Sequence, residues 1–154
     1  MRRIALSAFV FCMAGAFGAL AAQQLPPGWI ADPTTGCRVW DNFPLPDDRA
    51  EWAGPCVNGY AEGVGTLKWF SKGANYEIDA GQFAAGKMQG HGTSDEVSSG
   101  EHFEGEFDQN RPNGFGTLTN KSTGQVYSGT WVNGCFNDGV RKAHFWQTAE
   151  ACGN

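Results

Sequence analysis

The 154-residue sequence predicts an all-β protein: an elongated, single-layer, twisted antiparallel sheet of consecutive β-hairpins. Three observations carry this. Four segments superimpose in phase, with their first glycines at Gly54, Gly81, Gly105 and Gly129, steps of 27, 24 and 24 residues. A repeat in this size range signals an array architecture. Within each segment, residues alternate between an apolar or glycine face and a polar face, as in Tyr127-Ser128-Gly129-Thr130-Trp131 and Phe103-Glu104-Gly105-Glu106-Phe107; that period of two is a half-buried antiparallel strand. The strands are followed by Asn58-Gly59, Asn133-Gly134 or the related Asn110, residues that tolerate the positive φ of tight hairpin turns.

The elements follow in chain order. Arg2 and Arg3, the apolar run Ile4 to Ala14 and the Ala19-Leu20-Ala21 site read as a secretory signal peptide over 1–22, cleaved near Ala21 or Ala22. The Gly/Ala-rich second half, with no cationic stop after Gln23, argues against a membrane anchor. Losing Arg2 and Arg3 takes the net charge from −5 to −7. The mature protein is then periplasmic or secreted. Residues 23–51 form an N-terminal cap segment, 52–139 the four repeats, and 140–154 a C-terminal cap segment. Helical periodicity is absent, apart from the short tail Val140 to Ala151.

In the first repeat, Trp52-x-Gly54-x-Cys56-x-x-Gly59 is followed by Gly63-x-Gly65-x-Leu67. In the second, Asp79-x-Gly81-x-Phe83-x-x-Gly86 is followed by Gly90-x-Gly92-x-Ser94. The third pairs the strand through Phe103 and Phe107 with Gly114-x-Gly116-x-Leu118, and the fourth fades after Gly134. Each central glycine leaves a gap where a neighbouring ring can lie over backbone. A single hairpin is marginal in water; stacking four buries a ladder of Trp52, Phe83, Phe103, Phe107, Tyr127 and Trp131.

Four cysteines remain after cleavage: Cys37, Cys56, Cys135 and Cys152. An even number in an exported chain points to disulfides. The first and fourth repeats start three hairpins apart, roughly 29 Å on a strand spacing of ~4.8 Å, too far for a bond that needs Cα atoms within ~7 Å. That argues against Cys56–Cys135 and favours the local pairs Cys37–Cys56 and Cys135–Cys152, one at each end of the array. Capped ends protect a repeat sheet from edge-to-edge association.

The remaining composition narrows the function classes. Glycine, 22 residues, excludes a coiled coil, and 20 aromatic residues argue against disorder. The acidic balance disfavours nucleic acid. His91, His102 and His144 lack metal-ligand spacing, and no cofactor motif is present. Glu104 and Glu106 share a strand face with His102, which reads as a solvated surface rather than a hydrolase. Ser98, Ser99 and Ser128 have no triad pattern.

The units Tyr127-Ser128-Gly129-Thr130-Trp131-Val132-Asn133-Gly134 and Phe103-Glu104-Gly105-Glu106-Phe107, continued by Gly114-Phe115-Gly116-Thr117-Leu118, resemble MORN (membrane occupation and recognition nexus) repeats. The resemblance covers about Trp52 to Gly134, and the segment from Gly36 to Trp69 resembles exported bacterial members. It departs at Cys56, at Asp79 and Ser94, and after Gly134. It implies a non-catalytic module for protein–protein interaction or self-association in the cell envelope, with a protein partner or a homodimer; the alternative is a peripheral lipid- or glycan-binding module. The six ladder rings are core or a dimer surface, or else an open groove for glycan, peptide or lipid, and in that sense the candidate partner face. Asp79 and Ser94 interrupt that face; they are expected to hydrogen-bond to each other as a buried polar pair, the alternative being a polar spot in a groove.

Overall fold

A computed structural model describes residues 25–153. The signal-peptide reading of 1–22 lies outside the described residues. Thirteen strands and no helix are present among those residues: β1 Trp29–Ala31, β2 Arg38–Trp40, β3 Arg49–Ala53, β4 Cys56–Val57, β5 Tyr60–Ala61, β6 Gly63–Ser71, β7 Ala74–Ala84, β8 Lys87–Glu96, β9 Glu101–Asp108, β10 Arg111–Asn120, β11 Val126–Val132, β12 Cys135–Asn137 and β13 Lys142–His144. Nine of them make one open antiparallel sheet in the order β13-β12-β11-β10-β9-β8-β7-β6-β3. The other four form a small sheet, β1-β2-β5-β4. The protein is all-β and built of consecutive hairpins.

Register follows from the sequence pattern. Gly65, Gly81, Gly92, Gly105, Gly116 and Gly129 are successive cross-strand partners, so the glycines form one continuous row across six strands. The rings close over this row. A methyl on Gly116 would come within 2.4 Å of the Phe103 ring, and one on Gly65 within 2.3 Å of Trp52. Any larger residue would displace the aromatic that covers it. Phe103 in turn meets Phe107 and Trp131 edge-on, with centroids 5.2 Å apart in both pairs, a favourable arrangement for aromatic quadrupoles.

The hairpin tips are tied by a repeating hydrogen bond. Gly86 N–H donates to Ala61 O (2.9 Å), Asn110 N–H to Met88 O (3.1 Å) and Gly134 N–H to Pro112 O (2.8 Å). Each turn thus leans onto the previous hairpin. The carbonyls of the same turns accept from the two flanking segments: Gly86 O from Trp40 N–H (2.8 Å), Asn110 O from Asn42 Nδ2 (2.7 Å), and Gly134 O from Phe145 N–H (2.9 Å). Gly59 O accepts from Arg38 N–H at 3.0 Å. Residues 38–42 therefore run across the tips of three successive hairpins, satisfying backbone groups that would otherwise be orphaned.

The first hairpin differs from the rest. Its base pairs β3 with β6, but its tip, β4-β5, joins the small sheet, where Cys56 lies at bonding distance from Cys37 (Cα–Cα 5.8 Å). The fourth has a second strand of only three residues, β12, onto which the tail adds β13. The tail is thus strand and turn, not helix, and Cys152 returns to Cys135 (Cα–Cα 5.4 Å).

The flanking segments also change what the ring face is. Phe145 stacks on Phe103 (centroids 5.5 Å, 15° between planes), and Trp146 packs on Phe107 at 5.3 Å. Trp52, Phe83, Phe103, Phe107 and Trp131 are all buried, and Tyr127 is half-buried. Of the readings the sequence left open for these rings (core, interface or open groove), the structure has core, covered by the chain's own flanking segments. Two terminal segments add a layer over part of the sheet, because a one-sided aromatic face is costly in water.

A candidate binding pocket on the ring face

The face that carries the rings also carries acids. By register, Leu67, Asp79, Ser94, Phe103, Leu118 and Tyr127 form the row beyond the glycines, and Trp69, Glu77, Glu96, Glu101 and Asn120 the row after that. The polar stretch of the two rows, on β7, β8 and β9, forms the floor of a pocket of about 450 Å³. The N-terminal segment supplies one wall with Trp40, Asp41 and Phe43, and the C-terminal segment the other with His144, Phe145 and Trp146. Phe43 and Leu45 are about half exposed at its rim. No lysine or arginine lines it among the described residues.

The indoles hold the acids in place. Trp69 Nε1 donates to Asp79 Oδ2 (2.9 Å), and Trp146 Nε1 donates to Glu77 Oε2 (3.0 Å). Asp79 is 1% exposed, and its other oxygen, Oδ1, has no hydrogen-bond donor. Asp41 Oδ2 and Ser94 Oγ are also without partners. Asp79 and Ser94 are cross-strand partners, but the well-aligned hydrogen bond to Asp79 is the one from Trp69, not one from Ser94.

Burial dominates the electrostatics. It raises Asp79 to about 7, with Glu96 adding to the rise while Ser94, Trp69 and Glu77 favour the charged form. Burial and then the Asp79 charge hold Glu77 well above the usual carboxylate range. Asp41 is pushed up to about 6, first by burial, against the Phe43 N–H and with Asp48 adding to it. Burial and the charges of Asp41 and Asp48 keep the Tyr76 hydroxyl protonated. Without a positive partner, taking these acids out of water favours their neutral forms.

The other candidates fall elsewhere. Glu104 and Glu106 are exposed on the opposite face, with His91 Nε2 4.0 Å from Glu104. His102 Nδ1 contacts Asp95 Oδ1 at 2.9 Å, which also takes Lys121 Nζ at 2.6 Å, a surface network. Among the described residues, no group of three or more His, Cys, Asp or Glu side chains is placed to hold a metal ion. Sequence reasoning singled out Asp79 and Ser94 but missed Glu77, Glu96, Glu101 and Asp41. The signal for the first was available: Glu77 shares the ring-face parity of Asp79, Gly81 and Phe83.

The family model for the MORN repeat matches residues 80–95, 103–123 and 127–141. These segments fall on the second, third and fourth hairpins, and each carries the glycine and ring positions described above. The chain carries MORN repeats over these three segments. No curated protein matches the chain. The first hairpin lies outside the matched segments, and it is the one whose tip leaves the main sheet. MORN repeats are generally modules for protein or membrane interaction, and the family is typically non-catalytic. Asp79 and Ser94 occupy the row positions at which the next hairpin carries the apolar Phe103 and Leu118.

Proposed function

We propose that this protein is an exported, non-catalytic interaction module of the cell envelope that engages a partner protein through the pocket on its ring face. The pocket supports this reading: there the chain leaves part of that face uncovered and polar. The ladder rings are buried inside the chain, so they do not serve as a dimer surface or an open glycan groove. The export part rests on two further features: cysteine pairs at bonding distance, which suit an oxidising compartment, and the signal-like N-terminus. The acidic balance disfavours an anionic bilayer as the partner.

Site-specific photocrosslinking in the intact cell envelope tests this. A photoreactive residue at Phe43, on the pocket rim, is expected to capture a discrete protein adduct. The same residue at Val64, 74% exposed on the far face, is expected to give none. Adducts from Val64 alone, or from neither position, would overturn the reading. Thiol trapping of the fractionated cell checks export: oxidised protein in the periplasm is expected, and reduced protein in the cytoplasm would refute it.

A further inference from the structure

Three carboxylates, Glu77, Glu96 and Glu101, are direct cross-strand neighbours in consecutive strands. Like charges placed opposite one another destabilise a sheet, and here they share a face with the buried Asp79. A lysine or arginine in the pocket wall would relieve the repulsion, yet the pocket has neither among the described residues. Its walls are aromatic instead: Trp40, Trp69, Tyr76 and Trp146. Aromatic faces attract cations through their quadrupoles, and more strongly when water is excluded. Asp79 and Asp41 also line the pocket, and Asp79 Oδ1 and Asp41 Oδ2 are buried beside it without a hydrogen-bond donor. Buried acceptors without partners carry uncompensated negative charge to the pocket wall, which a cationic ligand offsets.

From this geometry we propose that the pocket binds a primary ammonium group, presented as a lysine side chain of the partner protein. The inference rests on the interaction reading above and names the chemistry of the group that enters. A primary ammonium fits on each count. Its charge offsets the acid row, its three N–H donors match the carboxylates of Glu77, Glu96 and Glu101, and its alkyl stem lies along indole faces. A quaternary ammonium supplies the charge but no donor. A volume of about 450 Å³ admits the whole side chain. A monatomic cation is a poorer fit, since the described acids do not converge on one coordination point.

Binding is coupled to protons. The groups facing the ammonium are Glu77 and Asp79 from β7, Glu96 from β8, Glu101 from β9, Asp41 with Asp48 and Tyr76 behind it, and His144 from the tail. The cation requires ionised carboxyls, so it must displace the protons that burial retains there. Affinity therefore rises from pH 5.5 to pH 8, while the amine itself stays protonated.

The test is calorimetric titration of the oxidised chain at pH 8 with n-butylammonium, with Nα-acetyl-lysine amide, and with tetramethylammonium. Saturable binding of the first two is expected, competing with each other and releasing protons to the buffer. Tetramethylammonium should bind about tenfold more weakly, or about 1.4 kcal/mol. Asp79→Asn, which mimics the neutral carboxyl, should weaken butylammonium at least tenfold in a chain that still unfolds cooperatively. Glu96→Gln, on a half-buried position, serves as the second variant should the first fail to fold. No saturable binding overturns the proposal, as do affinities unchanged in both variants or tetramethylammonium binding as tightly as butylammonium. Binding to vesicles bearing ethanolamine headgroups, without binding to acetyl-lysine amide, overturns the protein source in favour of a lipid. A crosslinked partner from Phe43 together with amine failure rejects only the ligand chemistry; amine binding without any crosslink rejects only the protein-partner reading.

Discussion

Replacing Gly116 by alanine tests the packing principle of the whole array. Gly116 lies between Gly105 and Gly129 in the glycine row, under the Phe103 ring. Its backbone is outside the left-handed region, so the alanine is tolerated by the main chain. The methyl, however, would stand 2.4 Å from Phe103 Cζ, 3.0 Å from Cε2 and 3.2 Å from Glu104 O. Comfortable carbon contacts need about 3.5–4.0 Å. Phe103 cannot withdraw, because it is fully buried among Phe107, Trp131 and Phe145. Overpacking of this kind costs about 1–3 kcal/mol. Phe103→Ala empties the same site and costs about 3–5 kcal/mol. The decisive quantity is their coupling. Once the ring is gone, the methyl has nothing to strike, so the double variant should be less destabilised than the sum by about 1–3 kcal/mol. Urea unfolding of the oxidised protein, with an unchanged m-value, measures all three. Additivity within about 0.5 kcal/mol would show that the ring does not rest on this glycine, and the account of the row would be wrong.

Three further outcomes follow from the same structure. The raised Asp79, Asp41 and Glu77 bind more protons folded than unfolded, so their stabilisation is complete below the unfolded carboxylate pKa and is lost as pH rises through about 6 and 7. The lowered Asp32, Asp95 and Asp138 act oppositely, losing stabilisation as pH falls below the unfolded value. Melting temperature should therefore peak between about pH 4 and 5 and decline toward pH 8, and Asp79→Asn should flatten the decline; a rise toward pH 8 contradicts the buried-acid assignment. Replacing Cys135 and Cys152 together by serine should cost about 3 kcal/mol and speed amide exchange at Phe145 and Trp146 before it does so in β9. Asn110→Gly keeps a residue that accepts the φ of 64° but removes the side-chain links to Met88 N–H and Trp40 O; chemical denaturation should show a loss of about 1–3 kcal/mol, whereas a neutral result would mean the turn needs only the backbone angle.

Much of the fold is legible in the residues themselves. Alternation in β9 and β11 assigns Phe103, Phe107 and Trp131 to one face, and the in-phase glycines set the register that joins them. Asn110 is readable as a turn residue from its tolerance of positive φ. What its side chain does is not readable, because Trp40 lies 70 residues away in sequence. The same limit governs the pocket. Asp79 and Ser94 stand out as a break in the pattern, but the break alone cannot distinguish a closed polar pair from the floor of a cavity. Whether the ring face is core, interface or groove is unreadable for a related reason: periodicity reports which residues share a face, not what covers that face.

The sequence by itself determined the strands, the turns, the row of glycines and the identity of the ring face, because each depends on contacts between near neighbours or on a fixed repeat. Only the tertiary structure decided that the rings are core and that an acidic pocket remains beside them. That outcome depends on where two segments without repeat periodicity come to rest. Trp146 reaches Glu77 across 69 residues of chain, and no local pattern encodes a contact of that span. The burial that raises the pocket acids is created by the closure itself, so it has no counterpart in the strand read alone.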